Sequence, residues 1–260
     1  MTRSYYLTPL KRGLILINQG IPLKLIVVKV PVKLVSWDDI VTWASTLANK
    51  IIESKWIPDV VVAIARGGYV PARLLCDNLG INDLVSLQVV HWPSSAQVSE
   101  KAYIKYPVAQ IDLNGKKVLI IDDIVDTGDS VILAKEHVIS RWPKADVKTG
   151  ALQWISTVAK FKPDYYAYEV KEWVWFMYPW NLVEDLSNFI KRIMYEEYKA
   201  NNKVNWSLME LTDKLSEWYG DEILKVPLSY LSKAIASLER DGFISRFKGN
   251  DLEIIRLAKY

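Results

Sequence analysis

Apolar residues come along this chain in two rhythms. Short unbroken runs at residues 60–64 and 118–121, rich in β-branched side chains, read as strands buried on both faces, and residues 85–90 and 147–154 read as two further strands. Between them the apolar positions recur at helical spacing. Ile40, Trp43, Leu47 and Ile51 predict a helix that Ser36 and Asp39 start, that reaches Lys55 and that Pro58 closes off. A second helix runs to Leu79 with Gly80 as its carboxyl-terminal cap, and a third spans residues 130–141. Strands alternating with helices predict an α/β domain built on a mainly parallel sheet.

Beyond residue 181 the rhythm is helical throughout. Leu182, Leu186, Phe189, Ile190 and Ile193 predict one amphipathic helix, residues 208–218 a second and 228–238 a third, which Arg240-Asp241-Gly242 stops. Residues 243–247 and 252–257, around Lys248-Gly249-Asn250-Asp251, read as a β-hairpin. Helices followed by a hairpin resemble a winged-helix module. Three regions are therefore expected: an extension over 1–35, whose apolar run at 25–32 is confined to a sheet edge by Pro31, a main domain over 36–181, and a helical domain over 182–260.

Composition narrows the chemistry. The chain has 260 residues, 50% hydrophobic and 24% charged, as expected of a globular protein with one large or two modest domains. Lys24, Lys29 and Lys33 break the amino-terminal apolar stretch, so neither a membrane span nor a secretion signal is expected, and a cytoplasmic location is. With Cys76 as its one cysteine the chain has no internal disulfide framework, and with His91 and His137 as its two histidines a His/Cys metal site is not expected. A net charge of +3 gives no case for nucleic acid, and residues 181–260 carry 12 Lys and Arg against 13 Asp and Glu.

The candidate chemistry gathers at the predicted carboxyl end of the 118–121 strand. The strand runs into Asp122 and Asp123, at the rim where open parallel sheets bind ligands. Asp126-Thr127-Gly128-Asp129-Ser130 then turns into the helix. Its amides and the hydroxyls of Thr127 and Ser130 make an anion cradle of phosphate size, with Gly128 allowing close backbone approach. Carboxylates beside such a cradle suit a ligand with hydroxyls at one end and a phosphate at the other. A second anion site is read at Arg66-Gly67-Gly68, after the 60–64 strand. Residues 91–112 turn polar and irregular, the pattern of a lid.

The run from Val118 to Ser130 resembles the 5-phosphoribosyl-1-pyrophosphate (PRPP) signature of type I phosphoribosyltransferases. The resemblance implies a central, mainly parallel sheet flanked by helices, here with a helical, winged-helix-like extension. It implies that Asp122 and Asp123 bind the ribose hydroxyls and that the loop from Asp126 to Ser130 holds the 5′-phosphate. Asp126 would accept or relay a proton at purine N7. Arg66 and Gly67 resemble the pyrophosphate loop of the purine branch, in which the peptide before the arginine can be cis. The lid would close over PRPP, bringing Ser99, Glu100, Lys101 or Tyr103 to the pyrophosphate. Mg²⁺ is implied as cofactor, bound to the pyrophosphate and to the ribose hydroxyls that Asp122 and Asp123 contact.

Lys160-Phe161-Lys162-Pro163-Asp164-Tyr165 resembles the base-recognition segment of 6-oxopurine members, with Lys162 facing the 6-substituent. Trp175-Phe176-Met177-Tyr178-Pro179-Trp180 resembles the aromatic segment that stacks on the base, which makes Tyr178 and Trp180 base-binding candidates. Asn181 departs from that pattern, where an acid usually follows Pro-Trp. Together with the inserted aromatics and the long carboxyl-terminal part, this departure resembles archaeal adenine phosphoribosyltransferases built on a 6-oxopurine frame. The expected reaction is adenine plus PRPP giving AMP and pyrophosphate, in a homodimer. The alternatives are a 6-oxopurine enzyme, for which Lys162 argues, and a PRPP-sensing DNA-binding regulator.

Overall fold

The structure, a computed structural model, describes residues 30–91, 102–109, 111–248 and 253–258. The described residues form two compact units, one from Ser36 to Trp173 and one that joins residues 30–35 to those from Val174 onward. The expected main-domain end at residue 181 thus falls inside the second unit.

In the first unit, helix α1 (Trp37–Glu53) opens on a capping box. Ser36 Oγ accepts the Asp39 amide at 3.1 Å, and the Asp39 carboxylate accepts the Ser36 amide at 2.9 Å. The buried strand β2 (Val60–Ala65) follows, then α2 (Tyr69–Leu79), which ends at left-handed Gly80. Next come β3 (Leu84–His91), β4 (Ala102–Tyr106), β5 (Lys117–Val125), α3 (Asp129–Arg141), β6 (Asp146–Ile155) and β7 (Tyr165–Val170). The sheet order is β4-β3-β2-β5-β6-β7, parallel except for the antiparallel β3–β4 pair. Side chains alternate across it. Val60, Val62, Val118 and Ile120 pack with Val131, Ala134 and Val138 of α3, while α2 packs against β2 and β5 and α1 against β6 and β7. From β2 the sheet grows to β3 on one side and to β5 on the other, so the crevice beyond the ends of β2 and β5 is its topological switch point.

The strands depart from the sequence reading in three places. β5 runs through the acid pair to Val125, because β6 is long enough to pair with it there, Asp122 facing Ala151 and Val125 facing Trp154. Part of the expected irregular lid is strand β4, which takes the free edge of β3 with a register shift between Gln88 and Val89. The expected strand over 25–32 falls mostly outside the described residues. The strand present is β1 (Val32–Leu34), which follows Pro31 and pairs in parallel with β8 (Trp175–Met177) in the second unit.

That unit continues with α4 (Leu182–Asn201), β9 (Asn205–Trp206), α5 (Leu208–Tyr219), a 3-10 turn over Asp221–Lys225, α6 (Leu228–Arg240), β10 (Ile244–Lys248) and β11 (Glu253–Leu257). The three helices and the hairpin fall where the sequence pattern places them. The hairpin gains β9 as a third strand, in the order β10-β11-β9. Phe189 centres its core, stacked on Tyr219 at 3.9 Å and edge-on to Trp175 at 5.3 Å. No described helix is long and apolar enough to cross a membrane.

Candidate active site

The switch point gathers the expected residues from two strand ends. Asp122 and Asp123 are 8% and 2% exposed, although each is a carboxylate at the end of a sheet. Both fold forward onto the chain that follows: Asp122 Oδ1 accepts the Asp123 amide and Asp123 Oδ1 the Ile124 amide, each at 2.9 Å. Asp123 also presses on the loop after β2. A Cβ at Gly67 would sit 2.6 Å from Asp123 Oδ1, and one at Gly68 would sit 2.6 Å from Ile64 O, so neither position has room for a side chain. The loop expected to bind pyrophosphate therefore lies against the acid pair. The Ala65-Arg66 bond is cis.

Arg66 itself is exposed and lines a cavity of about 160 Å³ with Tyr69, Ser86, Gln88 and Tyr106. The hydroxyls of Tyr69 and Ser86 are 3.0 Å apart, which joins the first residue of α2 to β3. A sequence pattern gives no signal for these wall residues, since they become neighbours through sheet pairing alone.

Beyond β5 the chain turns through residues 126–128 into α3, with Asp126 half-buried at the start of the turn. Gly128 caps α3 with φ +89°, a left-handed conformation that favours glycine, and its carbonyl accepts the Ile132 amide at 3.0 Å. The amides of Asp129 and Ser130 open the helix. Thr127 Oγ1 donates to Asp129 Oδ2 at 3.1 Å.

The β6–β7 connection closes on this loop. The Lys160 amide donates to Thr127 O at 2.9 Å, Lys160 Nζ lies 2.5 Å from Asp129 Oδ1, and the Phe161 ring lies 3.0 Å from where a Gly128 Cβ would be. Farther along, Asp164 Oδ2 accepts the Thr149 amide at 2.8 Å and the Thr149 hydroxyl at 2.9 Å, which fixes the Lys-Pro-Asp run to buried β6. Lys162, exposed, sets its ammonium over two rings, 5.4 Å from the centre of Trp154 and 5.2 Å from that of Tyr166. The sequence reading missed the pinning roles of Lys160, Phe161 and Thr149.

Lys101, Ser99 and Glu100 fall outside the described residues, and Tyr103 belongs to β4. Tyr178 and Trp180 belong to the second unit. There Tyr178 is 2% exposed and stacks on Trp180 at 4.8 Å. Asn181 precedes α4 as its amino-terminal cap residue, its amide donating to Tyr178 O at 2.9 Å.

Among the described residues no three His, Cys, Asp or Glu side chains gather into a metal cage. The oxygen donors at the switch point are Asp122 and Asp123. Such a set suits a hard cation that takes most of its oxygens from ligand and water, as Mg²⁺ does.

Comparison with known proteins agrees with this geometry. The family model described as "Phosphoribosyl transferase domain" matches residues 34–185. The xanthine-guanine phosphoribosyltransferase of Gluconobacter oxydans is 30% identical over 148 residues, 56% of this chain and 83% of that protein. Among solved structures, a purine phosphoribosyltransferase from Pyrococcus horikoshii is 31% identical with a TM-score of 0.50, covering 57% of this chain and 93% of that one. A hypothetical protein from Neisseria gonorrhoeae with bound ppGpp is 27% identical with a TM-score of 0.51, over 58% of this chain and 90% of that one. An acid pair at a sheet's switch point, a glycine loop pressed on it and a family match over most of that sheet lead to one conclusion: the chain belongs to the phosphoribosyltransferase family, in its type I purine branch.

Proposed function

We propose that this enzyme transfers the phosphoribosyl group of PRPP to a 6-oxopurine, guanine, xanthine or hypoxanthine, releasing pyrophosphate. The observation that carries the choice of base is Lys162. An ammonium donates hydrogen bonds and accepts none, so it pairs with a 6-carbonyl oxygen and has nothing to offer a 6-amino group. The names of the relatives favour the same class: one is a xanthine-guanine enzyme, and another binds ppGpp, a guanine nucleotide. Of the three features that resemble adenine enzymes, Asn181, the inserted aromatics and the long carboxyl-terminal part, Asn181 stands at the start of α4 as its cap residue.

In this reading Asp122 and Asp123 hold the ribose hydroxyls, and the loop from Asp126 to Ser130 holds the 5′-phosphate. Arg66 and Gly67, with Lys101, hold the leaving pyrophosphate. Departure of pyrophosphate builds positive charge at C1′ and negative charge on the leaving group, so catalysis is mostly positioning and electrostatics. Asp126 takes or relays the purine's N7 proton. Asp122 and Asp123, at the ribose hydroxyls, would hold Mg²⁺, which would supply positive charge to neutralise the leaving pyrophosphate.

A panel of bases with PRPP and Mg²⁺, scored by nucleotide formation, tests the proposal. At least one 6-oxopurine is expected to turn over about tenfold or more faster than adenine, the scale of one charge-assisted hydrogen bond. Faster turnover of adenine would overturn it.

A further inference from the structure

The loop assigned to the 5′-phosphate has an electrostatic problem. Residues 126–130 include two carboxylates, Asp126 and Asp129, and no Lys or Arg. A dianionic phosphate arriving among the α3 amides meets like charge. The chain supplies the missing cation from a distant stretch: Lys160 Nζ lies 2.5 Å from Asp129 Oδ1. Two neighbouring contacts hold that ammonium at the mouth of the loop, the Lys160 amide on Thr127 O at 2.9 Å and the Phe161 ring against Gly128. The Lys160 side chain is 61% exposed, so a ligand can reach it. An ammonium has three donors, and Asp129 Oδ1 takes one.

We propose that Lys160 is a phosphate-binding residue of this enzyme, cancelling the charge of Asp129 and donating to an oxygen of the 5′-phosphate. The proposal rests on the reading of residues 126–130 as the phosphate loop. It assigns Asp129 the task of holding Lys160 in place before substrate arrives, at the expense of some attraction for the phosphate. Opposite effects of the two side chains on substrate affinity follow. A bridge that served the fold alone would make both substitutions act in the same direction.

The experiment compares wild type, Lys160→Met, Lys160→Arg and Asp129→Asn. It measures the KM of PRPP, the KM of guanine, and direct binding of ribose 5-phosphate, a probe that keeps the phosphate and lacks the pyrophosphate. Lys160→Met is expected to weaken PRPP and ribose 5-phosphate about tenfold, the loss of one charge-assisted hydrogen bond, and to leave the guanine KM within about twofold. Lys160→Arg is expected to restore most of the affinity, and Asp129→Asn to keep or tighten ribose 5-phosphate binding. Unchanged PRPP affinity in Lys160→Met, or equal losses for guanine and PRPP, would overturn the proposal while the phosphate loop stood. If wild type bound no ribose 5-phosphate, the reading of the loop would fall and Lys160 with it.

Discussion

Gly67 and Gly68 sit side by side and fail differently when enlarged. A methyl group at 67 meets the Asp123 carboxyl group, which is buried and bonded to the Ile124 amide, so the acid must give up its position. A methyl group at 68 meets backbone carbonyls of two strands, which cannot yield without moving the sheet. Overpacking of this kind costs about 1–3 kcal/mol. Gly68→Ala is therefore expected to lose more stability than Gly67→Ala in denaturant titrations, whereas Gly67→Ala is expected to lose more PRPP affinity. The reverse ranking would refute the account of this contact. His137, on α3, offers a second test. Burial first, and the charge of Arg141 second, hold its pKa below the usual histidine value of 6.5, and its Nε2 is buried without a hydrogen-bond partner. The unfolded chain takes up this proton at higher pH than the folded one. The stability tied to neutral His137 is thus present above about pH 6.5 and is lost as pH falls through the folded pKa. Thermal scans in acid are expected to show this slope and to lose part of it in His137→Gln; an unaltered slope would exclude His137 as its source.

Elements whose apolar period runs unbroken were legible in the sequence, and those made by pairing were not. Helix α1 announced itself through Ser36, Asp39 and four spaced apolar residues, and β2 and β5 through continuous apolar runs. β4 reads Ala-Tyr-Ile-Lys-Tyr and becomes a strand because β3 offers it an edge. β1 and β8 are three residues each and stand 143 positions apart at Val32 and Trp175, a parallel pairing no local pattern encodes. The acid pair and the Asp-Thr-Gly turn were legible because their spacing is their chemistry; Lys160 was not, since its importance comes from Asp129 across the fold. The helices and hairpin that resemble a winged-helix module are α4, α5, α6, β10 and β11, with β9 added, and many of their cations are already engaged. Arg246 pairs with Glu239 and Glu253, Lys225 with Glu222, Lys203 with Glu210 and Lys191 with Asp241, while Leu228 at the start of α6 is 68% exposed. A reading helix needs a basic stripe. Gel-shift titrations are expected to give dissociation constants for duplex DNA no tighter than about 10⁻⁶ M at physiological salt, the non-specific range. A specific nanomolar complex would revive the regulator reading.

At the scale of the molecule, the two compact units have separate cores, one on the six-stranded sheet and one around Phe189 and Tyr219. Chains with more than one domain commonly depart from two-state unfolding. Calorimetry is expected to resolve two transitions, with Leu119→Ala lowering one and Phe189→Ala the other, each by about 2–5 kcal/mol. One transition that both substitutions lower equally would mean that the units unfold together.

The connection from β6 to β7 is anchored at both ends and in its middle, by Asp164 on Thr149, by the Ala159 amide on Ile155 O at 2.9 Å, and by Lys160 on Thr127. A stretch tied down so firmly behaves as a cassette: its frame stays put while the letters at the remaining positions change. Anyone wishing to redirect this enzyme toward unnatural nucleobases should randomise Lys162 and leave the anchors untouched.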